Sequence, residues 1–301
     1  MQKYSSSNKL IIALSLLLFL SACGGGSSEK ESDVAGEVTF SEAEQKILAD
    51  MSQVINDLPP PSVVPNTLMK IGTEYDPDLV NGIEKIETYQ TNEDKAAMNL
   101  GVYATDVGYQ VAYQQVEESM SHMDALQKLA ETVGVSTAFD IGLMEKYEES
   151  LDNPDSLSSL LNSTVLLAEQ RLESSDRLAM AALVLTGSFI EGLYLVVKII
   201  ENYKDDNLTV QQRNEKLQPL VRLILDQEKP LKDVIGLMKD IPHDDAIRRM
   251  TSELEILRIL YDGDLEEIQK AMGDEEDYVI PPDMLIDITT EVKRIREDIV
   301  S

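Results

Sequence analysis

The chain is poor in the residues that most often carry chemistry. Its 301 residues include one cysteine, two histidines and no tryptophan. A single cysteine can form neither a disulfide framework within the chain nor a thiolate cluster for a metal. His122 and His243 stand outside HExxH and Glu-x-x-His patterns, so no histidine metal site or Ser-His-Asp triad is indicated, and both are expected at the surface. We therefore predict no catalytic residue, no cofactor and no metal.

Positive charge is also scarce. The chain has 26 Lys and Arg against 55 Asp and Glu, a formal charge of −29 at pH 7. A surface this acidic repels nucleic acid and anionic headgroups, so nucleic acid is not expected as a partner. The absence of tryptophan argues against an aromatic platform for sugars. No Walker or dinucleotide-binding glycine pattern follows residue 40, which leaves the common nucleotide-binding folds without support.

The first 22 residues have the layout of a secretory signal. Lys3 and Lys9 give a basic start, an eleven-residue apolar run extends from Leu10 to Leu20, and small residues follow. A membrane-spanning helix needs about 20 apolar residues, so this run is too short to span a bilayer. Residues 1–22 are therefore predicted to be a signal peptide that is removed.

The run ends in Leu20-Ser21-Ala22-Cys23, which resembles the lipobox recognised by lipoprotein signal peptidase. The resemblance implies a bacterial lipoprotein precursor that is cleaved before Cys23 and carries lipid, palmitate included, on Cys23. Two or three acyl chains hold a protein stably on a membrane, at about 0.8 kcal/mol per buried CH₂. Gly24 stands where an aspartate would resemble the signal for inner-membrane retention. We therefore expect a lipid anchor in the cell envelope, at the outer membrane, facing the periplasm or the cell surface.

Residues 23–40 are predicted to form a flexible tether. The segment is rich in Gly, Ser and acidic residues, a composition that cannot bury apolar area. It is similar to the export signals of surface-exposed lipoproteins in Bacteroidota. Removal of residues 1–22 takes away two lysines and no acid, which changes the formal charge from −29 to −31.

Nearly every segment of residues 41–301 has helical period and helical punctuation, and no segment has strand period. We predict an all-α fold, an irregular multi-helix bundle behind the tether. A segment that begins at Thr209 should kink or split at Pro219, since a proline inside a helix costs about 3 kcal/mol. The predicted helices are 41–57, a short helix capped at Asn66, 76–89, 91–118, 122–133, 137–150, 153–174, 176–203, 228–239, 244–271 and 283–299.

The segment Leu178 to Ile200 is mostly apolar and could be a membrane span or a core helix. Glu191 lies near its middle and Lys198 near its end. A central charge costs about 2.5 to 3.5 kcal/mol on membrane insertion. The long amphipathic helices predicted around it can cover an apolar helix. A central core helix is the preferred interpretation.

Two of the predicted long helices carry ionisable and phenolic groups on otherwise apolar faces, next to glycines. The first face includes Asp106, and the second includes Glu191 together with Gly187. Unpaired charge is expensive to bury, so we expect both carboxylates inside the fold, on facing or adjacent helices, and partnered. The candidate ligand-binding residues on these two faces are Asp106, Tyr109, Tyr113, Glu191, Tyr194 and Lys198.

Two interpretations of these six residues stay open. In the structural one, Lys198 or tyrosine hydroxyls satisfy the carboxylates, and the glycines let the helices approach closely. In the functional one, the same groups line a pocket for a small amine, a cation or a polar ligand. Glu191 and Lys198 are seven residues apart, about 10 Å along a helix, and cannot pair directly.

The run from Asn99 to Tyr109, in which Asn-Leu-Gly-x-Tyr precedes Asp106, resembles a stretch of uncharacterised helical lipoproteins of Bacteroidota. The resemblance covers residues 95–134 and implies a helical fold and an envelope location without a particular reaction. The leading hypothesis is an envelope lipoprotein with a non-catalytic helical binding or interaction domain, whose partners are the membrane, through the lipid, and an envelope protein. The alternative is a small-ligand-binding or hydrolytic enzyme with an interior pocket of acids and tyrosines.

Overall fold

The computed structural model describes residues 63–136, 177–242, 245–273 and 278–301, together with a few isolated positions between 49 and 160. In this part of the chain every regular element is a helix, which confirms the all-α prediction. The α-helices are α1 Val63–Ile71, α2 Ile86–Tyr89, α3 Glu93–Ala112, α4 Val116–Val133, α5 Leu178–Asn202, α6 Val210–Leu225, α7 Glu228–Asp240, α8 Asp245–Met272 and α9 Ile286–Ile299.

Helices α3 and α5 form the centre of the bundle. They pack along each other more extensively than any other pair of described helices. Helix α4 covers α3, α9 covers both α5 and α8, and α7 lies against α8 and α5. Most residues of α3 and α5 are consequently buried, which explains why these two helices are apolar on nearly every face.

Two glycines allow the close crossing of α3 and α5. A Cβ atom added to Gly101 would overlap the carbonyl oxygen of Val184, and one added to Gly187 would overlap the carbonyl oxygen of Met98. In both cases the obstacle is the backbone of the facing helix, which cannot move away as a side chain can. The expectation that glycines let the helices approach is confirmed at these two positions.

Helix α5 is long and apolar enough to cross a membrane by length and composition. Its most apolar stretch of 18 residues has a mean hydropathy of 1.9 and is 83% buried inside the fold. The neighbouring helices thus already cover the surface that lipid would otherwise contact. This burial favours the core-helix interpretation.

The structure departs from the predicted helices in three places. The segment 76–89, predicted as one helix, instead forms two 3₁₀ turns, Pro77–Leu79 and Ile83–Lys85, followed by α2. The helix is interrupted because the backbone N–H of Asn81 donates to Asp106. The helix predicted for 91–118 ends at Ala112, and Gln114 has a left-handed φ of 58° before α4 begins. Helix α1 begins at Val63, ahead of the predicted cap.

The predicted start of α6 at Thr209 is confirmed, whereas α3 is capped by Asn92 and α5 begins after Arg177 without a side-chain cap. Thr209 and Gln212 form the reciprocal capping box that starts α6. The same helix continues through Pro219 and is not split, since the carbonyl that the proline leaves without a partner belongs to the exposed Glu215. The predicted helices 41–57, 137–150 and 153–174 lie mostly outside the described residues. The signal peptide 1–22 and the tether 23–40, with Cys23, lie wholly outside them.

Candidate functional site

Asp106 and Glu191 lie in the interior of the bundle. Each is 0% exposed, and they stand on the adjacent helices α3 and α5. The burial of both carboxyls, predicted from the apolar faces around them, is confirmed. A buried carboxylate must be paired or protonated, so the contacts of these two groups decide what the site can do.

Glu191 is paired with Arg296 of α9. The Arg296 Nε lies 3.0 Å from Glu191 Oε2 and its Nη2 lies 3.3 Å from Oε1, a two-pronged ion pair. The guanidinium also lies 4.4 Å from the centre of the Tyr194 ring, which adds a cation–π contact. The prediction that Lys198 or a tyrosine would satisfy Glu191 is wrong. Lys198 instead contacts Glu201 at 3.3 Å, one turn further along α5.

The signal that could have identified Arg296 is its position on α9. Val292 and Ile299 are buried, and Arg296 lies four residues after the first and three before the second. It is therefore on the core-facing side of its helix. The pairing itself joins residues 105 positions apart. Periodicity within a single helix does not reveal such a contact.

Among the described residues, no cation forms an ion pair with Asp106 alone. Its Oδ2 accepts a hydrogen bond of 2.9 Å from the backbone N–H of Asn81, whereas its Oδ1 receives no bond from any N–H or O–H donor of the described residues. The carboxyl of Glu191 acts on Asp106 both through its charge and through a side-chain hydrogen bond. Burial, reinforced by the nearby charge of Glu191, raises the pKa of Asp106 well above its ordinary value.

Asn81 connects Asp106 to the rest of a buried polar network. Its side-chain amide donates to the Tyr89 hydroxyl at 3.1 Å, and its carbonyl accepts from Nε2 of His122 at 3.0 Å. His122 is only 7% exposed, and its Nδ1 lies 3.1 Å from the side-chain nitrogen of Gln110 and 3.0 Å from the carbonyl oxygen of Glu118. The prediction that His122 is a surface residue is wrong, because backbone and amide partners compensate its burial. His243 lies outside the described residues.

The hydroxyls of Tyr109 and Tyr113 bond the segment that follows α1. The Tyr109 hydroxyl accepts from the backbone N–H of Asp76 at 2.9 Å, and the Tyr113 hydroxyl bonds the hydroxyl of Thr73. With Tyr75 they form a cluster whose ring centres lie 5.0 to 6.0 Å apart. These tyrosines hold the segment after α1 against α3 and do not line a pocket with Asp106.

An open groove of about 490 Å³ lies beside this tyrosine cluster. It is bordered by the segment Gly72–Asp76, by the end of α5 with Tyr203 to Asp205, and by Lys216 of α6. The Lys216 ammonium sits 5.2 Å from the centre of the Tyr203 ring. None of the six predicted ligand-binding residues lines this groove, or the smaller one of about 390 Å³ beside α7. Apart from Lys216, the walls of the larger groove come from the loop after α1 and from the end of α5 with the segment that follows it, where sequence periodicity carries no signal.

The described residues contain no group of three or more His, Cys, Asp or Glu side chains placed to hold a metal ion. No protein-family model, no curated protein and no solved structure matches the chain. The function proposed below therefore rests on the residues and geometry of the chain itself.

Proposed function

We propose that the chain is a bacterial lipoprotein precursor whose mature helical domain is anchored to the outer membrane through lipid on Cys23 and binds a small cationic ligand. The anchor is supported by the signal layout and by the Leu-Ser-Ala-Cys sequence. A tether of 18 residues, 23–40, would hold the domain near the membrane without fixing its orientation. The protein partner that we expect in the envelope would present lysine or arginine side chains, which are cations like the small ligand.

Binding is favoured over catalysis by the state of the interior carboxyls. Asp106 and Glu191 are both inaccessible to solvent, and Glu191 is already engaged by Arg296 at two oxygens. A general acid or base has to reach its substrate within hydrogen-bond distance or through one water. A hydrolytic site in the bundle interior would therefore lack an accessible acid. This favours the interpretation in which the two carboxyls have a structural role.

The groove beside Tyr75 and Tyr203 is the place where we expect the ligand. Glu74, Asp76 and Asp205 give its walls three carboxylates against the two ammonium groups of Lys204 and Lys216. The single observation that carries the proposal is the Lys216 ammonium held over the ring of Tyr203, because a ligand ammonium would be stabilised by the same ring. The formal charge of the mature chain, −31, also attracts cations.

Substitutions in the groove should change amine binding in opposite directions. We expect Lys216→Ala to tighten the binding of choline or spermidine about two- to fivefold, because it removes a like charge and vacates the Tyr203 ring. Asp205→Asn should weaken the same binding about two- to fivefold, by loss of one exposed attraction. Both are measured by calorimetry on the purified full chain in detergent.

Asp78→Asn is the matched control, because Asp78 is an exposed carboxylate close in sequence to the groove that does not line it. It should leave amine affinity unchanged. Unchanged or weaker amine binding in Lys216→Ala would contradict a cation site at the Tyr203 ring. Equal effects of Asp205→Asn and Asp78→Asn would remove the groove from the proposal.

The anchor makes a separate prediction. Cys23→Ala should abolish incorporation of labelled palmitate and leave the uncleaved precursor, because the thiol that accepts the lipid is gone. Ser27→Ala, a change in the tether, should be labelled and processed like the unmodified chain. The readout is palmitate labelling together with the mobility of precursor and mature forms. Persistence of the label in Cys23→Ala would refute the lipoprotein assignment.

A further inference from the structure

Two carboxyls and one guanidinium meet at the interface of three helices. Asp106 comes from α3, Glu191 from α5 and Arg296 from α9. The two carboxyls are fully buried, and the Arg296 side chain is 13% exposed. If both carboxyls were ionised, this closed site would hold two negative charges against one positive charge. Such an uncompensated buried charge is strongly unfavourable.

We propose that Asp106 and Glu191 share one proton in the folded protein, carried on Oδ1 of Asp106 and donated to the Glu191 carboxylate, so that the stability of the fold depends on protonation. The proton comes from solvent as the chain folds, and no covalent bond between heavy atoms changes. With this proton in place the three side chains are neutral as a group. Without it, Asp106 and Glu191 repel each other and compete for the same guanidinium.

The hydrogen bonds assign the proton to Asp106. A carboxylate oxygen is an acceptor and normally has a donor in front of it, yet Oδ1 of Asp106 has none among the described residues. Once protonated, this oxygen becomes a donor and the neighbouring Glu191 carboxyl becomes its acceptor. Glu191 is the poorer carrier, because both of its oxygens already accept from Arg296.

The protonation equilibrium involves Asp106 and Glu191 and not the tyrosines and the histidine around them. Burial raises the pKa of Tyr89, of Tyr103 and of Tyr194, so these tyrosines stay neutral around pH 7. His122 faces the carbonyl of Asn81 and not the carboxyls. The titratable and charged groups around the pair are Tyr75 and Asp76 after α1, Glu84 and Tyr89 before α3, Tyr103 of α3, His122 of α4, Tyr194 of α5 and Arg296 of α9.

The direction of the pH dependence follows from linkage. The pKa of Asp106 is raised in the folded protein above its ordinary value of 3.8. Between these two values the folded chain holds a proton that the unfolded chain has released. The contribution of Asp106 to stability is therefore largest below about pH 4 and falls as the pH rises to the folded pKa of Asp106. A single proton changes the unfolding equilibrium constant by up to about tenfold per pH unit.

Asp106→Asn tests the shared proton in the full lipidated chain in detergent. Its amide oxygen can accept from the Asn81 N–H, and its amide N–H can donate to Glu191 at every pH. Urea denaturation at a series of pH values should show the one-proton loss of stability in the unmodified chain and its absence in Asp106→Asn. Identical pH profiles for the two proteins would overturn the proposal.

Asp264→Asn is the matched control. Asp264 is also buried and accepts from the N–H of Ile288, and burial raises its pKa to about 6. Its own contribution to the pH dependence should end near pH 6. Asp264→Asn should therefore remove that part of the profile and retain the part assigned to Asp106. If it removed the whole dependence instead, the proton would belong to Asp264 and the proposal would fail.

A second measurement uses only the unmodified chain and so does not depend on the folding of a variant. The infrared pH-difference spectrum of the unmodified chain, in which the pH-independent ester bands of the lipid cancel, should contain the C=O stretch of a buried carboxylic acid in addition to that of Asp264, which titrates near pH 6. A spectrum in which Asp264 accounts for every buried carboxylic acid would contradict the shared proton.

Discussion

Gly187→Ala is expected to destabilise the folded chain by about 3 kcal/mol, the upper part of the usual range for overpacking. The added methyl group would overlap the backbone carbonyl of Met98 on the facing helix, so relief requires the two central helices to separate. The free energy of unfolding, measured by urea denaturation with circular dichroism, reports the loss.

Gly192→Ala in the same helix is the control for this prediction. A Cβ atom at Gly192 would meet only a methyl group of Val64 at 3.9 Å, an ordinary contact. Replacing glycine by alanine inside a helix then stabilises it by up to about 1 kcal/mol. The two substitutions should therefore have opposite signs. A Gly187→Ala chain as stable as Gly192→Ala would mean that α3 and α5 do not cross as closely as described.

Arg296→Ala is expected to cost about 3 to 5 kcal/mol, because it leaves the buried Glu191 charge without its partner. Part of the effect is the lost contact with the Tyr194 ring. The measurement is again the free energy of unfolding. Combining Arg296→Met with Glu191→Leu should recover much of the loss, since apolar side chains can replace a buried ion pair at little cost.

Lys270 of α8 supplies the comparison for the second prediction. It pairs with Glu266, and the two side chains are 70% and 69% exposed. Exposed ion pairs contribute about 0 to 1 kcal/mol, so Lys270→Ala should have a small effect. Equal losses for Lys270→Ala and Arg296→Ala would show that Arg296 does not neutralise a buried charge.

The fold class and the burial of Asp106 and Glu191 could be predicted from the sequence. Helical period depends only on near neighbours, and a charge surrounded by apolar residues on one helix face has to be buried or functional. Asp106 and Glu191 could be identified for that reason. Gly101 and Gly187 were identifiable as points of close approach, although the backbone atoms opposite them could not be named.

The partners of these residues could not be predicted, because each comes from a distant part of the chain. Arg296 reaches Glu191 only after α9 has docked, and Asn81 breaks a locally favourable helix to donate to Asp106. His122 is buried for the same kind of reason, since the carbonyl of Asn81 supplies its partner. At these positions tertiary hydrogen bonds outweigh local helix propensity.

The most direct test of the proposed function is mass spectrometry of the mature protein extracted from membranes. The account predicts an N-terminal peptide that begins at Cys23 and carries diacylglycerol on the sulfur, with residues 1–22 absent. A membrane-extracted chain that retained residues 1–22, or that carried an unmodified Cys23, would contradict the lipid anchor and with it the proposed role in the envelope.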